Sequence, residues 1–190
     1  MTSWQRPPRQ RPEQLERLER ELLSHLGPVF DTAVRLCGSR VEAEDLVQEV
    51  YERALGATDR LDPAAPARPW LFTILYNLVR NRWRQQGRHP EVELEDEADL
   101  PAAAPEEPPA WAGLTPEMLD VGVRQLPLKL REPLVLRDLQ GLSYREVAEV
   151  LGIPAGTVMS RLHRARQQLR AALAAAISAG ADSPQARRRP

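Results

Sequence analysis

The residues of this chain whose types and spacing could do chemistry lie in the segment WLFTILYNLVRNRWRQQGR, residues 70–88. Amides, arginines and aromatics recur there at steps of three and four residues, which places them along one side of a helix. Stacking on bases, hydrogen bonding to base edges and neutralising phosphates require these residue types. The pattern therefore predicts a helix that binds single-stranded DNA. Its candidate binding residues are Tyr76, Asn77, Arg80, Asn81, Trp83, Arg84 and Arg88.

The aromatic residues of this segment have a second interpretation. Trp70 and Phe72 fit the role of core anchors better than that of DNA contacts, whereas Tyr76 and Trp83 fit either role. A proline-studded loop, residues 59–68, precedes the helix, and we expect it to bind the single strand together with the helix. The predicted core stripe of the helix is Leu71, Ile74, Leu75, Leu78 and Val79.

A second cationic helix is predicted nearer the C-terminus, in LSYREVAEVLGIPAGTVMSRLHRARQQL, residues 142–169. Ser143 followed by Glu146 matches a capping box, which predicts the start of a helix. Gly152 suits a left-handed turn, and Pro154 suits the start of the next helix. Two helices joined by a tight turn, the second one cationic, form the layout of a helix-turn-helix that reads DNA.

The second helix of this motif divides into an inner apolar side and an outer polar side. A polar, cationic edge is typical of a helix in the major groove, although arginines can also serve only as solvated charge on a surface helix. We expect Ser160 and Arg164 nearest the bases, and Arg161 and Arg166 nearer the DNA backbone or in packing. The inner residues are Val158, Leu162, Ala165 and Leu169, and the candidate DNA contacts are Thr157, Ser160, Arg161, His163, Arg164 and Arg166.

The N-terminal half carries two further predicted helical stretches. Leucines at helical spacing run through residues 13–36, with a break predicted at Gly27-Pro28. A second capping box, Ser39 with Glu42, opens a helix that runs to Leu55. Its outer side is acidic, which fits either a solvated face or a docking surface for a basic partner helix. The residues of that side are Asp45, Gln48, Glu49 and Glu52.

Charge is distributed unevenly along the 190 residues. Residues 90–116 contain eight acids and no Lys or Arg, and the rest of the chain carries 26 bases against 19 acids. Two basic bodies joined by an acidic segment fit a nucleic-acid-binding protein. The sequence predicts an all-α fold of two small helical domains joined by a flexible acidic linker, the C-terminal one a helix-turn-helix. The predicted divisions are a disordered tail at 1–12, a domain at 13–88, the linker at 89–115, a domain at 116–177 and a disordered tail at 178–190.

Several classes of protein are disfavoured by the sequence. Cys37 is the sole cysteine, and the three histidines His25, His89 and His163 are dispersed, so neither a disulfide nor a metal site is expected. There is no nucleophile-base pair or phosphate-binding loop, and we expect neither an enzyme nor a cofactor. No transmembrane run or signal-peptide core is present, so we expect a cytoplasmic protein without membrane insertion.

Three motifs in fixed order make the chain resemble the extracytoplasmic-function sigma factors, the minimal two-domain group of the sigma-70 family of bacterial RNA polymerase. They are AEDLVQEVYERAL (43–55), PWLFTILYNLVRNRWR (69–84) and LPLKLREPLVLRDLQGLSYREVAEVLGIPAGTVMSRLHRARQQL (126–169). Asn81 stands where the family commonly has Asp. Met159 stands where a basic residue often precedes the Ser-Arg pair. Both positions bear on promoter sequence preference.

The resemblance implies partners and a role for each domain. Core RNA polymerase would be bound through its β subunit and through the coiled coil of its β′ clamp, on which Asp45, Gln48, Glu49 and Glu52 would dock. The first domain would open and read the minus-ten element of promoter DNA, and the helix-turn-helix would read the minus-thirty-five element. The acidic linker would thread toward the RNA exit path, although its composition alone indicates only a flexible connection. An anti-sigma factor is a further expected partner.

Two other functions remain open at the level of the sequence. One is a helix-turn-helix regulator that acts without replacing sigma, such as a response regulator with a similar C-terminal domain. Its receiver domain would alternate strands and helices, whereas the first domain here is predicted to be all-helical. The other is an enzyme with an accessory DNA-binding domain, for which no catalytic residues are found in the sequence.

Overall fold

The computed structural model describes residues 12–58, 66–85 and 115–181, and within these ranges the regular structure is helical, with no β-strand. The chain divides into two compact units, residues 1–87 and 88–190. The prediction of two small all-α domains is confirmed. The acidic stretch before Thr115 and both chain termini lie outside the described residues.

In the described part of the first unit, residues 12–58 and 66–85, four helices pack around an apolar core. α3 packs against α2 and α4, and α1 and α2 also contact α4. Leu22, Val29, Val50 and Leu71 are fully buried at their centre. The helices are α1 (Pro12–Ser24), α2 (Leu26–Cys37), α3 (Arg40–Gly56) and α4 (Ala67–Gln85).

The break between α1 and α2 falls at His25, two residues before the predicted break at Gly27-Pro28. Pro28 lies in the first turn of α2, where a backbone N–H has no partner within the helix and its absence costs nothing. The earlier break also changes which residues face inward, because Leu26 is exposed rather than part of the core. The break was therefore correctly expected, but its position was wrong.

Local sequence signals set the turn between α2 and α3. Gly38 ends α2 in the left-handed conformation, at φ 74°, and its N–H donates to the Val34 carbonyl. Ser39 then caps α3, since its side chain accepts a hydrogen bond from the Glu42 N–H at 3.3 Å. The acidic helix therefore begins where the sequence predicts, and Ser39 forms its half of the predicted capping box.

Tyr51 fastens α3 to α1. Its buried hydroxyl donates a hydrogen bond of 2.8 Å to the Leu22 carbonyl oxygen. Burial raises the pKa of Tyr51 to about 12, because the charged phenolate would lose its hydration. The same carbonyl, near the C-terminal end of α1, also accepts from the His25 N–H at 3.1 Å.

The second unit is built on its long last helix. α5, α6 and α7 all pack against α8, and α5 approaches so closely that a Cβ on Gly122 would lie 2.7 Å from Leu169 Cδ1. Thr115 caps α5, since its side chain accepts a hydrogen bond from the Met118 N–H at 3.4 Å. The elements are α5 (Pro116–Gln125), α6 (Leu128–Leu134), a π-helical turn (Val135–Leu139), α7 (Tyr144–Leu151) and α8 (Ala155–Ala181).

α8 continues to Ala181, beyond the predicted domain end at residue 177. The final stretch is rich in alanine, which has the highest intrinsic helix propensity and therefore favours continuation of the helix. Leu173 is the last core residue described on this helix.

Candidate nucleic-acid and protein interfaces

The predicted helix-turn-helix is present in α7 and α8. Ser143 accepts from the Glu146 N–H at 3.2 Å, and the Glu146 carboxylate accepts from the Ser143 N–H at 2.7 Å, which completes the capping box. Gly152 ends α7 at φ 65° and ψ 36°, in the left-handed region that a glycine adopts without strain. The tight turn between the two helices therefore has the residues that the sequence assigned to it.

The inner side of α8 also agrees with the sequence. All four residues predicted to face inward, Val158, Leu162, Ala165 and Leu169, are buried. Of the predicted DNA contacts, His163 is exposed and its ring lies 3.1 Å from Gln167 Nε2. Four further candidates are half-buried: Thr157, Ser160, Arg161 and Arg164. They stay predictions as DNA contacts.

Arg166 forms an ion pair inside the domain, which favours the packing role that the sequence left open for it beside a contact with the DNA backbone. Its Nε and Nη2 donate to the two oxygens of Asp138 at 2.9 and 2.7 Å, a bidentate pair between α8 and the π-helical turn. The Asp138 side chain is only 5% exposed and that of Arg166 22%. Hydrogen bonding to Asp138 raises the pKa of Arg166. This bidentate contact holds α8 against the π-helical turn, and Arg166 stays a prediction as a DNA contact.

The acidic face of α3 is present and accessible. Asp45, Gln48 and Glu52 are exposed, and Gln48 Nε2 donates to Glu52 Oε1 at 2.9 Å. Glu49 differs from the other three because it is half-buried and paired with two arginines. It accepts from Arg53 at 2.6 Å and from Arg82 of α4 at 3.2 Å. The face is thus less purely negative than its sequence indicates.

The predicted DNA face of α4 is formed in part. Asn77, Asn81 and Arg84 are exposed along one side, while Arg80 and Trp83 are half-buried. Trp83 lines a shallow surface pocket together with Cys37 and Arg82. Amides, a partly accessible indole and cations are therefore grouped on the C-terminal half of this helix.

Tyr76 does not belong to that face. Its side chain is fully buried, so it cannot stack on a base while the domain is folded, and the core alternative holds. The physical reason is that α1, α2 and α3 all contact α4 and therefore cover a wide arc of its surface. Two other parts of the predicted DNA-binding site, Arg88 and residues 59–65 of the preceding loop, lie outside the described residues.

Sequence reasoning missed Arg82 and Asp138. Their partners are 33 and 28 residues away along the chain, so no helical spacing links the members of either pair. The only signal in the sequence was that each pair joins residues of opposite charge, Arg82 with Glu49 and Arg166 with Asp138. Such charges are common and mostly solvated.

The described parts of the chain hold neither a metal-binding cluster nor a membrane-spanning helix. Ranges 12–58, 66–85 and 115–181 contain no cluster of three or more His, Cys, Asp or Glu side chains arranged to hold a metal ion. Within the same ranges, no helix is both long and apolar enough to cross a membrane.

Each of the two helical units matches a known protein family. Residues 22–89 match the family model for sigma-70 region 2, and residues 117–169 match that for sigma-70 region 4. EcfG of Rhodopseudomonas palustris, an ECF RNA polymerase sigma factor, is 35% identical over 157 residues, which cover 82% of this chain and 84% of EcfG. The chain belongs to the extracytoplasmic-function group of the sigma-70 family.

Two more similar proteins extend the comparison of this sigma factor. SigE of Mycolicibacterium smegmatis is 37% identical over 162 residues, and the match covers 84% of this chain but only 62% of that longer protein. The sigma factor RpoE of Bartonella quintana, solved in complex with the anti-sigma factor NepR, superposes with a TM-score of 0.66 at 28% identity. That match covers 83% of this chain and 97% of RpoE. The sequence-based assignment to the family is confirmed.

Proposed function

We propose that this protein is an alternative sigma factor that binds core RNA polymerase in the cytoplasm and directs promoter-specific transcription initiation. The observation that carries the proposal is the presence, in one chain, of a region 2 unit with an exposed acidic helix and a region 4 unit with a complete helix-turn-helix. The protein itself is proposed to have no catalytic activity and no cofactor, since the polymerase supplies the chemistry.

The acidic face of α3 is the proposed docking surface for core polymerase. Asp45, Gln48 and Glu52 are exposed and are not part of the apolar core, so they are available to a basic helix such as the β′ clamp coiled coil. Contacts with the β subunit are part of the same proposal. The charge and exposure of this helix support docking on a basic partner.

Promoter DNA is the proposed ligand of both units. The minus-ten strand would lie along Asn77, Asn81 and Arg84 with Trp83 beside it, because exposed amides and cations suit an unpaired strand. The minus-thirty-five element would be read by the outer side of α8, with Ser160 and Arg164 nearest the bases. Arg161 would contact the DNA backbone.

An anti-sigma factor is the proposed negative regulator. Its support is the family membership and the solved complex of the related RpoE with NepR. Pull-down from native cells should recover such a protein together with, or in exchange for, core polymerase. Recovery of polymerase alone under all growth conditions would contradict this part of the proposal.

The decisive experiment is reconstitution with purified core polymerase. The full chain should comigrate with core and direct initiation from a defined subset of a randomised promoter library, whereas core alone should not. Promoter binding without core, together with modulation of a different holoenzyme, would instead indicate the helix-turn-helix regulator. Either the absence of a core complex or initiation without promoter preference would refute the proposed function.

A charge-reversal variant tests the docking surface within the same system. Asp45→Arg combined with Glu49→Arg should abolish comigration, because two carboxylates facing a basic partner become repulsive. Glu19→Arg is the matched control, since Glu19 is also an exposed acid of the first unit but lies on α1. If the double variant remains folded and binds core as the control does, α3 is not the docking helix.

A further inference from the structure

Glu49 connects the proposed docking helix with the proposed DNA-binding helix. Its Oε2 accepts from Arg82 Nη2 of α4 at 3.2 Å, and its Oε1 accepts from Arg53 Nη2 of α3 at 2.6 Å. The Glu49 and Arg82 side chains are 33% and 31% exposed, so solvent and a partner reach both. One carboxylate therefore holds two guanidinium groups, each on one of its oxygens.

A basic surface that docks on α3 meets a carboxylate that is already occupied. To pair with Glu49 it has to exchange with one of the two arginines. Arg53 lies one turn away on the same helix and makes the shorter contact, whereas Arg82 makes the longer contact across two helices. The Arg82 contact is therefore the one more easily given up. Partly exposed ion pairs contribute little to stability, so giving up the contact between Arg82 and Glu49 costs little free energy.

Arg82 is well placed for a second ligand once it leaves Glu49. It follows Asn81 in the last turns of α4, turned about 100° around the helix axis from it, and lines a surface pocket together with Trp83 of the proposed DNA face. A flexible guanidinium at this position adds positive charge beside the path proposed for the unpaired strand. Phosphate is the matching chemistry, because guanidinium pairs with phosphate oxygens whatever the base sequence.

We propose that Arg82 is a further DNA-backbone-binding residue, held on Glu49 in the free protein and released when a basic surface of core polymerase replaces it there. The proposal rests on the proposed function. Glu49 then links the two binding events, because polymerase docking at its carboxylate frees Arg82 for the DNA strand. Either event then favours the other, since linkage between two binding sites is reciprocal.

The first test uses the free, full-length protein and a fluorescein-labelled single-stranded oligothymidylate, because a phosphate contact needs no particular sequence. Glu49→Gln should bind the oligonucleotide about 1.5- to 5-fold more tightly than the wild type, the range that corresponds to losing one weak surface ion pair. The slope of log affinity against log salt should steepen by about 0.7, the value for one added phosphate contact on a single strand.

Two further variants separate this mechanism from a general change of charge. Glu49→Gln combined with Arg82→Gln should lose the whole gain, whereas Arg53→Gln, which removes the other partner of Glu49, should show none. A gain that survives in the double variant would overturn the proposal, because it would come only from the lost negative charge. Unchanged or undetectable oligonucleotide binding by Glu49→Gln would overturn it as well. Thermal unfolding confirms that each variant is folded.

The second test uses holoenzyme on a promoter obtained from the transcription experiment. Arg82→Gln should keep core binding but reduce the salt slope of promoter binding by about 0.7 to 0.9, one phosphate contact. An unchanged slope would overturn the proposal even if the affinity fell, since a merely structural ion pair does not alter counterion release. If wild-type protein fails to form an active holoenzyme, the proposed function fails; if it initiates normally and only the Arg82 effects are absent, this inference alone fails.

Discussion

Replacing Asp138 by Ala should loosen the packing of α8, the second helix of the helix-turn-helix, without removing any residue proposed to contact DNA. The change leaves the Arg166 guanidinium, which is 22% exposed, without the carboxylate that accepts its two hydrogen bonds. Hydrogen bonds to charged groups contribute about 1.5–3 kcal/mol, and breaking a fully buried pair costs about 3–5 kcal/mol. Because water reaches part of Arg166, we expect a loss of about 2–3 kcal/mol in the second unit.

Native-state hydrogen exchange measures this loss where it occurs. The free energy of opening measured at the α7 and α8 amides should fall by this amount, so that their protection factors decrease about 30- to 150-fold. The protection factors of the α3 amides, in the other unit, should stay unchanged. Glu149→Ala is the matched control in the same motif. Its pair with Arg145 is mostly exposed, with side chains 61% and 90% accessible, so the expected loss is below about 0.5 kcal/mol.

A double variant tests whether Arg166 acts only in packing. Arg166→Met added to Asp138→Ala removes the uncompensated charge and should recover most of the lost protection, because an apolar replacement of a buried pair is often near neutral. Binding to the minus-thirty-five element should recover with it. Protection that falls no further in Asp138→Ala than in Glu149→Ala would refute the reasoning. Restored stability without restored DNA binding would return Arg166 to the DNA contacts.

Four other changes have equally definite expectations. Asn77→Ala with Trp83→Ala should keep core binding but block strand opening; normal permanganate reactivity of promoter thymines would contradict the minus-ten assignment. Arg164→Ala should cost about 1–3 kcal/mol in promoter binding and relax one position in a minus-thirty-five library, and an unchanged preferred motif and strength would make it a solvated residue. Gly152→Ala should destabilise the second unit by about 1–2 kcal/mol through its positive φ alone, since a Cβ there meets no atom within 4 Å; an unchanged denaturation midpoint would exclude the strain. The raised pKa of Tyr51 favours the neutral phenol in the folded state, so its stabilisation is complete below the unfolded value of 10.0 and is lost as pH rises toward about 12. Tyr51→Phe should remove up to about 2–3 kcal/mol of that alkaline loss, and parallel stability curves for the two proteins between pH 10 and 12 would show that the phenol is not responsible.

Features set by near neighbours in the chain could be predicted from the sequence. The capping box of Ser143 and Glu146 and the left-handed turn at Gly152 depend on residues within one helical turn, and both are present in the structure. The inward side of α8 follows from the 3.6-residue period, because a single apolar stripe leaves only one way to pack. These local signals, with the order of the motifs, were enough to identify two helical units and the family.

Tertiary packing decided which polar residues remain available for partners. Tyr76 is separated by four and three residues from the core residues Phe72 and Val79, yet it also lies near the polar side of α4. Its burial was decided by the three helices that contact α4. The ion pairs of Glu49 with Arg82 and of Asp138 with Arg166 join residues 33 and 28 positions apart. Helical periodicity indicates which way a side chain points but not which helix it contacts. Only the folded chain therefore shows that Arg82 and Arg166 are held by carboxylates of their own domains.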